Sequence, residues 1–268
     1  MRLKQKIGVI GVGNMGAAIL EGLFKKKIAS PSQVWVCDKI EEKARQFTKE
    51  WKTPLAPSPG GVADSTDILI LSIKPQDLES MRVELKPCLK KGHTLITILA
   101  GTPLAKIRGV LGEKPSLVRA MPNLGAKVGE AVTALTGTDP KSLGLSEVIF
   151  SGCGKTLRLS ESHFDLVTAV SGSGPAYFFL LMELLAKFAQ EAGLAEKEAR
   201  LLAIQTGLGA ARLAQSSSFS PEELRKQVTS KGGTTEAALN VLENEKFGII
   251  FFKALEAALE RGRELSRR

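Results

Sequence analysis

The sequence predicts an α/β protein in which a doubly wound, mostly parallel sheet is followed by an all-α segment. Short apolar runs of strand length alternate with helical stretches over residues 1–160. A glycine-rich turn joins the first apolar run to the first helical stretch, and after about residue 160 only helical patterns follow. Alternation of strands and helices is typical of an open parallel sheet with helices on its faces.

The glycine-rich turn has the pattern of a dinucleotide-binding site. The apolar run Ile7–Ile10 has the length of a buried strand, and Gly11, Gly13 and Gly16 follow it before a helical pattern over 17–27. In this motif the first glycine makes the turn, the second lets the backbone approach a pyrophosphate, and the third lets helix and strand pack closely. The anion would bind free N–H groups at the helix N-terminus. A turn that binds nothing is the alternative, but the flanking strand and helix favour nucleotide binding.

The second predicted strand bears on the choice of coenzyme. Residues 33–38 complete a βαβ unit of about 30 residues, the length that this motif needs. Asp38, near the strand end, could accept from a ribose 2′-hydroxyl and favour NAD, whereas Lys39 could meet a 2′-phosphate and favour NADP. Both residues could instead lie in a solvated turn. We favour NADPH here, with NADH as the alternative.

The remaining elements of the first segment follow the same alternation. Residues 54–61, rich in Pro and Gly, are predicted to form a loop. Strands are predicted at 67–73, 93–99, 116–123, 130–136 and 155–159, with helices at 41–51, 76–85, 104–111 and 140–151. Lys74 and the pair Ala100-Gly101 follow two of these strands. Ligands of doubly wound sheets bind beyond such strand ends, although a lone lysine there is often only solvated.

The C-terminal segment is predicted to be helical. Helices are expected at 164–170, 176–192, 195–215, 221–229, 236–244 and 247–266, with an interruption at 171–175. Residues 176–186 are apolar nearly all round, which is typical of a helix at the centre of a bundle or at a subunit interface. Because this segment is thin by itself, we expect a homodimer through it. The predicted domains are a dinucleotide-binding domain at 1–160 and a helical dimerisation and substrate-binding domain at 161–268.

A second glycine-rich stretch, Ser230-Lys231-Gly232-Gly233-Thr234-Thr235, lies between two predicted helices. Its backbone N–H groups and hydroxyls at a helix start could bind a small carboxylate. An ordinary helix N-cap at Thr234 or Thr235 is the alternative. Two adjacent glycines exceed what capping requires, so we favour a binding site.

Composition restricts the class of protein. Mean hydropathy is +0.03 and no apolar run is expected to reach the length of a membrane helix, about 20 residues. The start leads directly into a strand, so no signal peptide is expected, and the scattered Cys37, Cys88 and Cys153 are typical of reduced thiols in a cytoplasmic protein. The net charge of +9 is interleaved with Glu and accompanied by few aromatic residues, which disfavours nucleic-acid binding and favours an anionic cofactor and substrate.

Six short motifs occur in one order and together resemble the pyrroline-5-carboxylate reductase family over almost the whole chain. They are Gly11-Val12-Gly13-Asn14-Met15-Gly16, Ile73-Lys74-Pro75, Ala100-Gly101, Arg119-Ala120-Met121-Pro122-Asn123, Ser171-Gly172-Ser173-Gly174-Pro175-Ala176-Tyr177 and Ser230-Lys231-Gly232-Gly233-Thr234-Thr235. The resemblance implies a Rossmann domain followed by a helical dimerisation domain, with an active site between one subunit's cofactor and helices of both. It also implies reduction of the imine 1-pyrroline-5-carboxylate to L-proline.

The resemblance assigns roles to individual residues. The cofactor would be held by Ile10, Gly11, Val12, Gly13, Asn14, Met15, Lys39, Ser72, Ile73, Lys74, Pro75, Ala100 and Gly101. The substrate carboxylate would be held by Ser230, Gly232, Gly233, Thr234 and Thr235, with Thr235 near the ring nitrogen. Two positions depart from the family: Lys231 replaces a usual Pro, which would alter loop rigidity, and Asp38-Lys39 replaces a common Asn-Arg or Ser/Thr, which leaves the coenzyme preference open.

The residues available for chemistry fit an electrophilic substrate. The single tyrosine, Tyr177, is followed four residues later by Leu181, so the Tyr-x-x-x-Lys pair of many carbonyl reductases is absent. His93 and His163 are expected to be structural, and no metal cluster is expected. A cyclic imine needs little acid–base help, because protonation makes it an iminium that accepts hydride; positioning then dominates catalysis. Thr235 is the candidate catalytic residue.

Two other classes remain as alternatives. The 3-hydroxyacid dehydrogenases share the overall plan, but Phe178 and Met182 stand where their catalytic Lys and Asn would be. A non-enzymatic NADP-binding regulator is the second alternative, and it would not need residues 232–235.

Overall fold

The computed structural model describes residues 2–267 and shows a seven-stranded sheet there, in the order β2-β1-β3-β4-β5-β6-β7. The strands are Ile7–Ile10 (β1), Val34–Cys37 (β2), Ile68–Leu71 (β3), Thr94–Thr97 (β4), Ser116–Met121 (β5), Ala131–Gly137 (β6) and Gly154–Arg158 (β7). Strands β1 to β5 are parallel, β6 is antiparallel to β5, and β7 is parallel to β6. The mostly parallel sheet predicted from the sequence is confirmed.

The helices lie close to their predicted positions. They are Asn14–Lys25 (α1), Glu41–Trp51 (α2), Pro59–Ser65 (α3), Leu78–Leu85 (α4), Leu104–Leu111 (α5), Pro140–Phe150 (α6), Phe164–Val167 (α7), Gly174–Glu191 (α8), Glu196–Ser216 (α9), Pro221–Gln227 (α10), Thr234–Asn244 (α11) and Phe247–Arg267 (α12). The interruption predicted at 171–175 is a π-helical turn over Thr168–Gly172, after which α8 begins. Pro175 stands in the first turn of α8, where a missing backbone N–H costs nothing.

Helix α3 corrects the loop predicted at 54–61. The Ser58 side chain accepts a hydrogen bond from the Gly61 N–H at 3.1 Å, and Pro59 occupies the first helical position. This is a helix start rather than a loop. Val62 of α3 is fully buried, and a side chain at Gly8 of β1 would clash with it. The helix therefore covers one face of the sheet at β1.

Both faces of the sheet are buried. Ile68 and Ile70 of β3 belong to one apolar cluster, whereas Leu69 and Leu71 of the same strand belong to another. Side chains of a strand alternate between its faces, so continuous apolar strands such as β3 need cover on both.

The described chain separates into two compact units. The first contains the residues up to Gly172 together with those from Ala258 on, and the second contains Ser173–Ala257. The first unit holds the sheet and helices α1 to α7. The second holds α8 to α11 and the first half of α12. The division into domains at residue 160 stays a prediction.

One helical segment among the described residues, Glu161–Glu191, has the length and composition of a membrane span. The mean hydropathy of its most apolar window is 1.3. This corrects the expectation that no apolar run reaches that length. Only 11% of its most apolar window is buried within the single chain. The segment therefore carries a large uncovered apolar surface.

Candidate active site

The carboxyl ends of four parallel strands lie level at one edge of the sheet. Ile10 pairs in register with Cys37 and with Leu71, and Leu71 pairs with Thr97. Strand β1 lies between β2 and β3, so the chain leaves β1 first to one side and later returns to the other. Such a switch point forms a crevice beyond the strand ends, where ligands of doubly wound sheets bind. The glycine turn and the segments after β2 and β3 all meet there.

Two glycines of the turn are required by the backbone. Gly11 has φ +97°, which disfavours other residues, and a Cβ there would clash with the Ser72 carbonyl oxygen. A Cβ at Gly16 would clash with the Gly11 carbonyl oxygen. Gly11 therefore makes the turn and Gly16 lets α1 pack on it, as the sequence predicted.

Gly13 differs from both, because open space surrounds it. A Cβ there would have no atom within 4 Å, apart from its chain neighbours. Gly13 is the N-cap of α1, where no side chain caps the helix and no acidic residue occupies the first turn. The first N–H groups of a helix have no partner within it and carry partial positive charge. This geometry suits an approaching pyrophosphate.

Lys127 is a residue that the sequence did not indicate. It lies 113 positions from Asn14, yet its Nζ donates to Asn14 Oδ1 at 3.1 Å. Together with Lys43, it lines a cavity of about 500 Å³ beside Gly13 and Asn14. Two ammonium groups and one carboxylate, that of Glu21, thus line this cavity, which leaves a net positive charge to attract an anion.

The Asp38 carboxylate is hydrogen-bonded to the backbone of the glycine turn. Its Oδ2 accepts from the Val12 N–H at 2.8 Å and its Oδ1 accepts from the Ile40 N–H at 2.9 Å. The alternative of a merely solvated turn is therefore wrong for Asp38. Lys39 is exposed and its Nζ lies 3.0 Å from Asp77 Oδ1.

A cavity of about 690 Å³ lies beside the end of β2, and we call it the β2 cavity. It brings together three predicted cofactor residues, Ile10, Lys39 and Ile73. It also includes Arg45 and Glu84, which the sequence did not indicate because their helices approach β2 only in the folded chain. Burial raises the pKa of the Cys37 thiol in this cavity to about 12, and the charges of Asp38 and Glu84 add to the increase.

The other predicted cofactor residues lie at the same edge with different environments. Ser72 donates its N–H to the Ile10 carbonyl at 2.9 Å, and Met15 packs partly against the core. Lys74, Pro75 and Ala100 are exposed. Gly101 is buried with φ +60°, and a Cβ there would lie 2.7 Å from Leu265 Cβ of α12. Packing against α12 thus explains this glycine, and its contact with a cofactor stays a prediction.

The predicted substrate loop, residues 230–235, lies in the second unit. Helix α11 begins at Thr234 with Gly233 as its N-cap, so the alternative of an ordinary cap at Thr234 or Thr235 is wrong. Gly232 has φ +72°, and a Cβ at Gly233 would lie 2.5 Å from Ser230 Oγ. The backbone conformation of the loop therefore requires a glycine at Gly232, whereas a Cβ at Gly233 would need the Ser230 side chain to move.

Glu236 is a further residue of this loop that the sequence pattern did not indicate. Its Oε2 accepts from the Gly232 N–H at 2.7 Å, in the first turn of α11. A carboxylate there interacts favourably with the positive end of the helix dipole. The loop thus already binds a carboxylate group in this structure, although from its own chain. Its predicted role toward a substrate stays a prediction.

The two histidines differ in environment. His93 is buried and its Nδ1 accepts from the Lys90 N–H at 3.2 Å, and desolvation lowers the pKa of this imidazole. His163 is exposed and stands at the N-cap position of the short helix α7, where its side chain makes no capping hydrogen bond, so its expected structural role stays a prediction. Over residues 2–267, no group of three or more His, Cys, Asp or Glu side chains has the arrangement of a metal site.

The sequence and the fold match known proteins over nearly the whole chain. The family model described as pyrroline-5-carboxylate reductase dimerisation matches residues 161–265. A model described as NADP oxidoreductase, coenzyme F420-dependent, matches residues 6–101. The pyrroline-5-carboxylate reductase of Methanosarcina acetivorans is 36% identical over 98% of this chain and 99% of that protein. The chain belongs to the pyrroline-5-carboxylate reductase family.

Solved structures of the family agree with this assignment. The Coxiella burnetii reductase has a TM-score of 0.91 and 36% identity, covering 98% of this chain and 99% of that one. The Plasmodium falciparum reductase, solved with NADP bound, has a TM-score of 0.89 and 26% identity, covering 99% of this chain and 100% of that one. Membership confirms the predicted fold class and the assignment as an NAD(P)H-dependent oxidoreductase with a dimerisation domain.

Proposed function

We propose that this chain reduces 1-pyrroline-5-carboxylate to L-proline. A bound reduced nicotinamide would supply a hydride from its C4 to the imine carbon, and the proton that makes the imine an iminium would stay on the product nitrogen. The observation that carries the proposal is family membership over nearly the whole chain. The open glycine turn at the start of α1 supports it, because that turn offers the backbone amides that a dinucleotide pyrophosphate needs.

The cofactor roles assigned by the resemblance are proposed for the first unit. Backbone and side-chain atoms at 10–15, 72–75, 100–101 and Lys39 line the path of the dinucleotide. Gly13 supports this role most directly, since the space beside it is open and the amides at the start of α1 have no side-chain cap. The domain that carries these residues is proposed to span 1–160.

The substrate roles are proposed for residues 230–235 within the domain at 161–268. Ser230, Gly232, Gly233 and Thr234 hold the substrate carboxylate, and Thr235 donates a hydrogen bond near the ring nitrogen. The backbone of this loop supports the proposal, because its Gly232 N–H already binds a carboxylate, that of Glu236.

We further propose a homodimer through the helical domain, with a higher oligomer left open. Many apolar side chains of the second unit are more than half exposed in the single chain, Phe188 at 73% among them. Surfaces of this kind mark contact sites. A second copy of the chain, rather than a bilayer or a nucleic acid, is the proposed cover, and the cytoplasm is the proposed location.

The proposal is tested by following oxidation of NADPH and NADH spectrophotometrically with pyrroline-5-carboxylate as the substrate. Thr235→Val is expected to lower kcat/KM by about a hundredfold, because a positioned hydrogen-bonding group is lost. Thr206→Val, on exposed α9 of the same unit, is the control and should retain activity. A chain that binds dinucleotide without reducing the imine would be a regulator rather than an enzyme. Full turnover and unchanged substrate affinity in Thr235→Val would remove the role given to that hydroxyl.

A further inference from the structure

The β2 cavity has an excess of negative charge on a protein whose net charge is +9. Its charged lining consists of four carboxylates and two cations: Asp38, Glu41, Asp77 and Glu84, with Lys39 and Arg45. The cavity lies at the end of β2, next to the glycine turn. An added anion in this space meets more like charge than opposite charge.

Both cations of the cavity are already paired. Lys39 Nζ lies 3.0 Å from Asp77 Oδ1, and Arg45 Nη2 lies 2.6 Å from Glu41 Oε1, one turn earlier on α2. A phosphate that recruited either cation would have to compete with its carboxylate. Asp38 and Glu84 are the carboxylates of the lining that remain outside these two pairs.

Asp38 is held in a position that suits a ribose. One of its oxygens accepts from the Val12 N–H within the glycine turn and the other accepts from the Ile40 N–H. An ionised carboxylate offers about four acceptor sites, so roughly two are left for other donors. Ribose hydroxyls are such donors, whereas a 2′-phosphate at pH 7 is an acceptor with a charge of about −1.5 to −2.

We propose that the β2 cavity holds the adenosine ribose and that Asp38 selects the unphosphorylated form, so that this chain prefers NADH to NADPH. The inference rests on the proposed dinucleotide site at the glycine turn. It reverses the preference expected from Lys39 in the sequence, because Lys39 is paired with Asp77 while Asp38 is fixed against the turn. Burial is the main cause of the raised pKa of the neighbouring Cys37 thiol, and the negative charges of Asp38 and Glu84 add to it.

Binding of two fragments to the full-length protein tests this selection without any turnover. ADP-ribose and its 2′-phosphate differ only at the group in question, and their dissociation constants can be measured by isothermal titration calorimetry. We expect ADP-ribose to bind at least about tenfold more tightly, since like charges a few ångströms apart repel strongly near a protein surface. Equal binding, or tighter binding of the 2′-phosphate, would overturn the proposal. Failure of both fragments to bind would overturn the site itself.

Two variants test which residues discriminate between ADP-ribose and its 2′-phosphate. Asp38→Asn removes one carboxylate, and Asp77→Asn removes another and releases Lys39; each should shift the ratio of the two dissociation constants toward the 2′-phosphate by about tenfold. Glu79→Gln, an exposed carboxylate of α4 outside the cavity, is the matched control and should leave the ratio unchanged. A purely structural Asp38 would weaken both fragments equally in Asp38→Asn, and that result would contradict its role as the selecting residue.

Steady-state rates with NADH and NADPH separate this inference from the proposed function. If the fragments show the expected ratio but the imine is not reduced with either coenzyme, the proposed reaction is wrong and the ribose selection stands. If the imine is reduced with an NADPH preference and the fragments bind equally, the reaction stands and the selection is wrong.

Discussion

Arg119 is a buried cation whose partners come from distant parts of the first unit. It is 3% exposed, its Nη1 lies 3.1 Å from Glu161 Oε1, and its guanidinium lies 4.8 Å from the centroid of the Phe164 ring. The same Glu161 oxygen accepts from the Leu104 N–H at 2.7 Å. One carboxylate therefore joins β5, the start of α5 and the segment before α7. This arrangement gives the arginine of the 119–123 motif a structural role.

Removal of that carboxylate should be costly. Glu161→Ala leaves a buried guanidinium and a backbone N–H without their acceptor, so we expect a loss of about 2 to 4 kcal/mol in the free energy of unfolding. Urea denaturation of the purified protein measures it. Glu222→Ala, which breaks the exposed pair with Lys226 within α10, is the control and should change stability little. Equal losses in the two variants would show that the Arg119 pair contributes no more than a surface pair.

At the scale of secondary-structure elements, two glycines of the β1-turn-α1 segment have different roles, although both belong to the same sequence motif. Gly11 is fixed by its positive φ and by the Ser72 carbonyl, whereas Gly13 faces open space. Gly11→Ala should lower the free energy of unfolding by about 2 to 4 kcal/mol, because backbone strain and a clash with main-chain atoms act together. Gly13→Ala should unfold like the wild type but bind dinucleotide about tenfold more weakly, since its Cβ would enter the space of the pyrophosphate.

Urea unfolding and calorimetric titration with NAD⁺ provide the two readouts for these glycine variants. Gly109→Ala, at a helix position where a Cβ meets no atom within 4 Å, serves as the control for both measurements. Unchanged dinucleotide affinity in Gly13→Ala would place the pyrophosphate elsewhere. Unchanged stability in Gly11→Ala would mean that the turn can rearrange.

Elements with a strong local pattern could be predicted from the sequence, and those without one could not. Strand β3 is a continuous apolar run, and α2 and α5 have the bounds expected for them. Helix α3 was missed because Gly60 and Gly61 weaken its helical pattern, and tertiary packing against β1 compensates for them.

The chemistry of the site was predictable only where it is local in the chain. The glycine turn and Asp38 lie on either side of α1 and could be recognised by spacing. The contact of Lys127 with Asn14 and the pairing of Lys39 with Asp77 join residues far apart in the chain and depend on side-chain directions in the folded protein. The hydrophobic periodicity of the sequence does not predict these side-chain directions.

For the whole molecule, two buried thiols link stability to alkaline pH. Burial raises the pKa of Cys153 from 9.0 to about 11, and the pKa of Cys37 rises from 9.0 to about 12. Below pH 9 both thiols are neutral in the folded and unfolded chains, so their contribution is fully present. Above it the unfolded chain loses these protons first, and the contribution is lost as the pH rises through about 11 to 12.

The decline in stability between pH 8 and pH 10 should therefore be smaller without these thiols. In the double variant with Cys37→Ala and Cys153→Ala, we expect the decline to be smaller by about 1 to 3 kcal/mol, from a linkage of about 1.4 kcal/mol per thiol and pH unit. Guanidinium unfolding at a series of pH values measures both chains. Cys88→Ala, at a half-buried site, is the control and should follow the wild type more closely. Parallel curves for the wild type and the double variant would contradict the link.

The exposed apolar surface of α8 bears on the assembly of the whole molecule. Phe178, Phe179, Leu184, Leu185 and Phe188 are each more than half exposed in the single chain. They lie within the residues matched by the dimerisation model of the family. In a homodimer this surface would be buried, and its hydrophobic burial would help hold the two copies together.

A charge placed on that surface should therefore separate the copies. In the double variant with Leu185→Glu and Phe188→Glu, burial of two unpaired carboxylates would cost several kcal/mol, so we expect dimer affinity to fall by more than about a hundredfold. Sedimentation velocity at micromolar protein should then show a monomer, whereas the wild type sediments as a dimer or a larger assembly. Val83→Glu, at a 79% exposed position on α4, is the control because it lies outside the dimerisation segment. If the α8 variant kept the wild-type sedimentation coefficient, the copies would have to meet through a different surface. If imine reduction is lost together with the dimer while Val83→Glu keeps both, the active site requires the assembled helical domain.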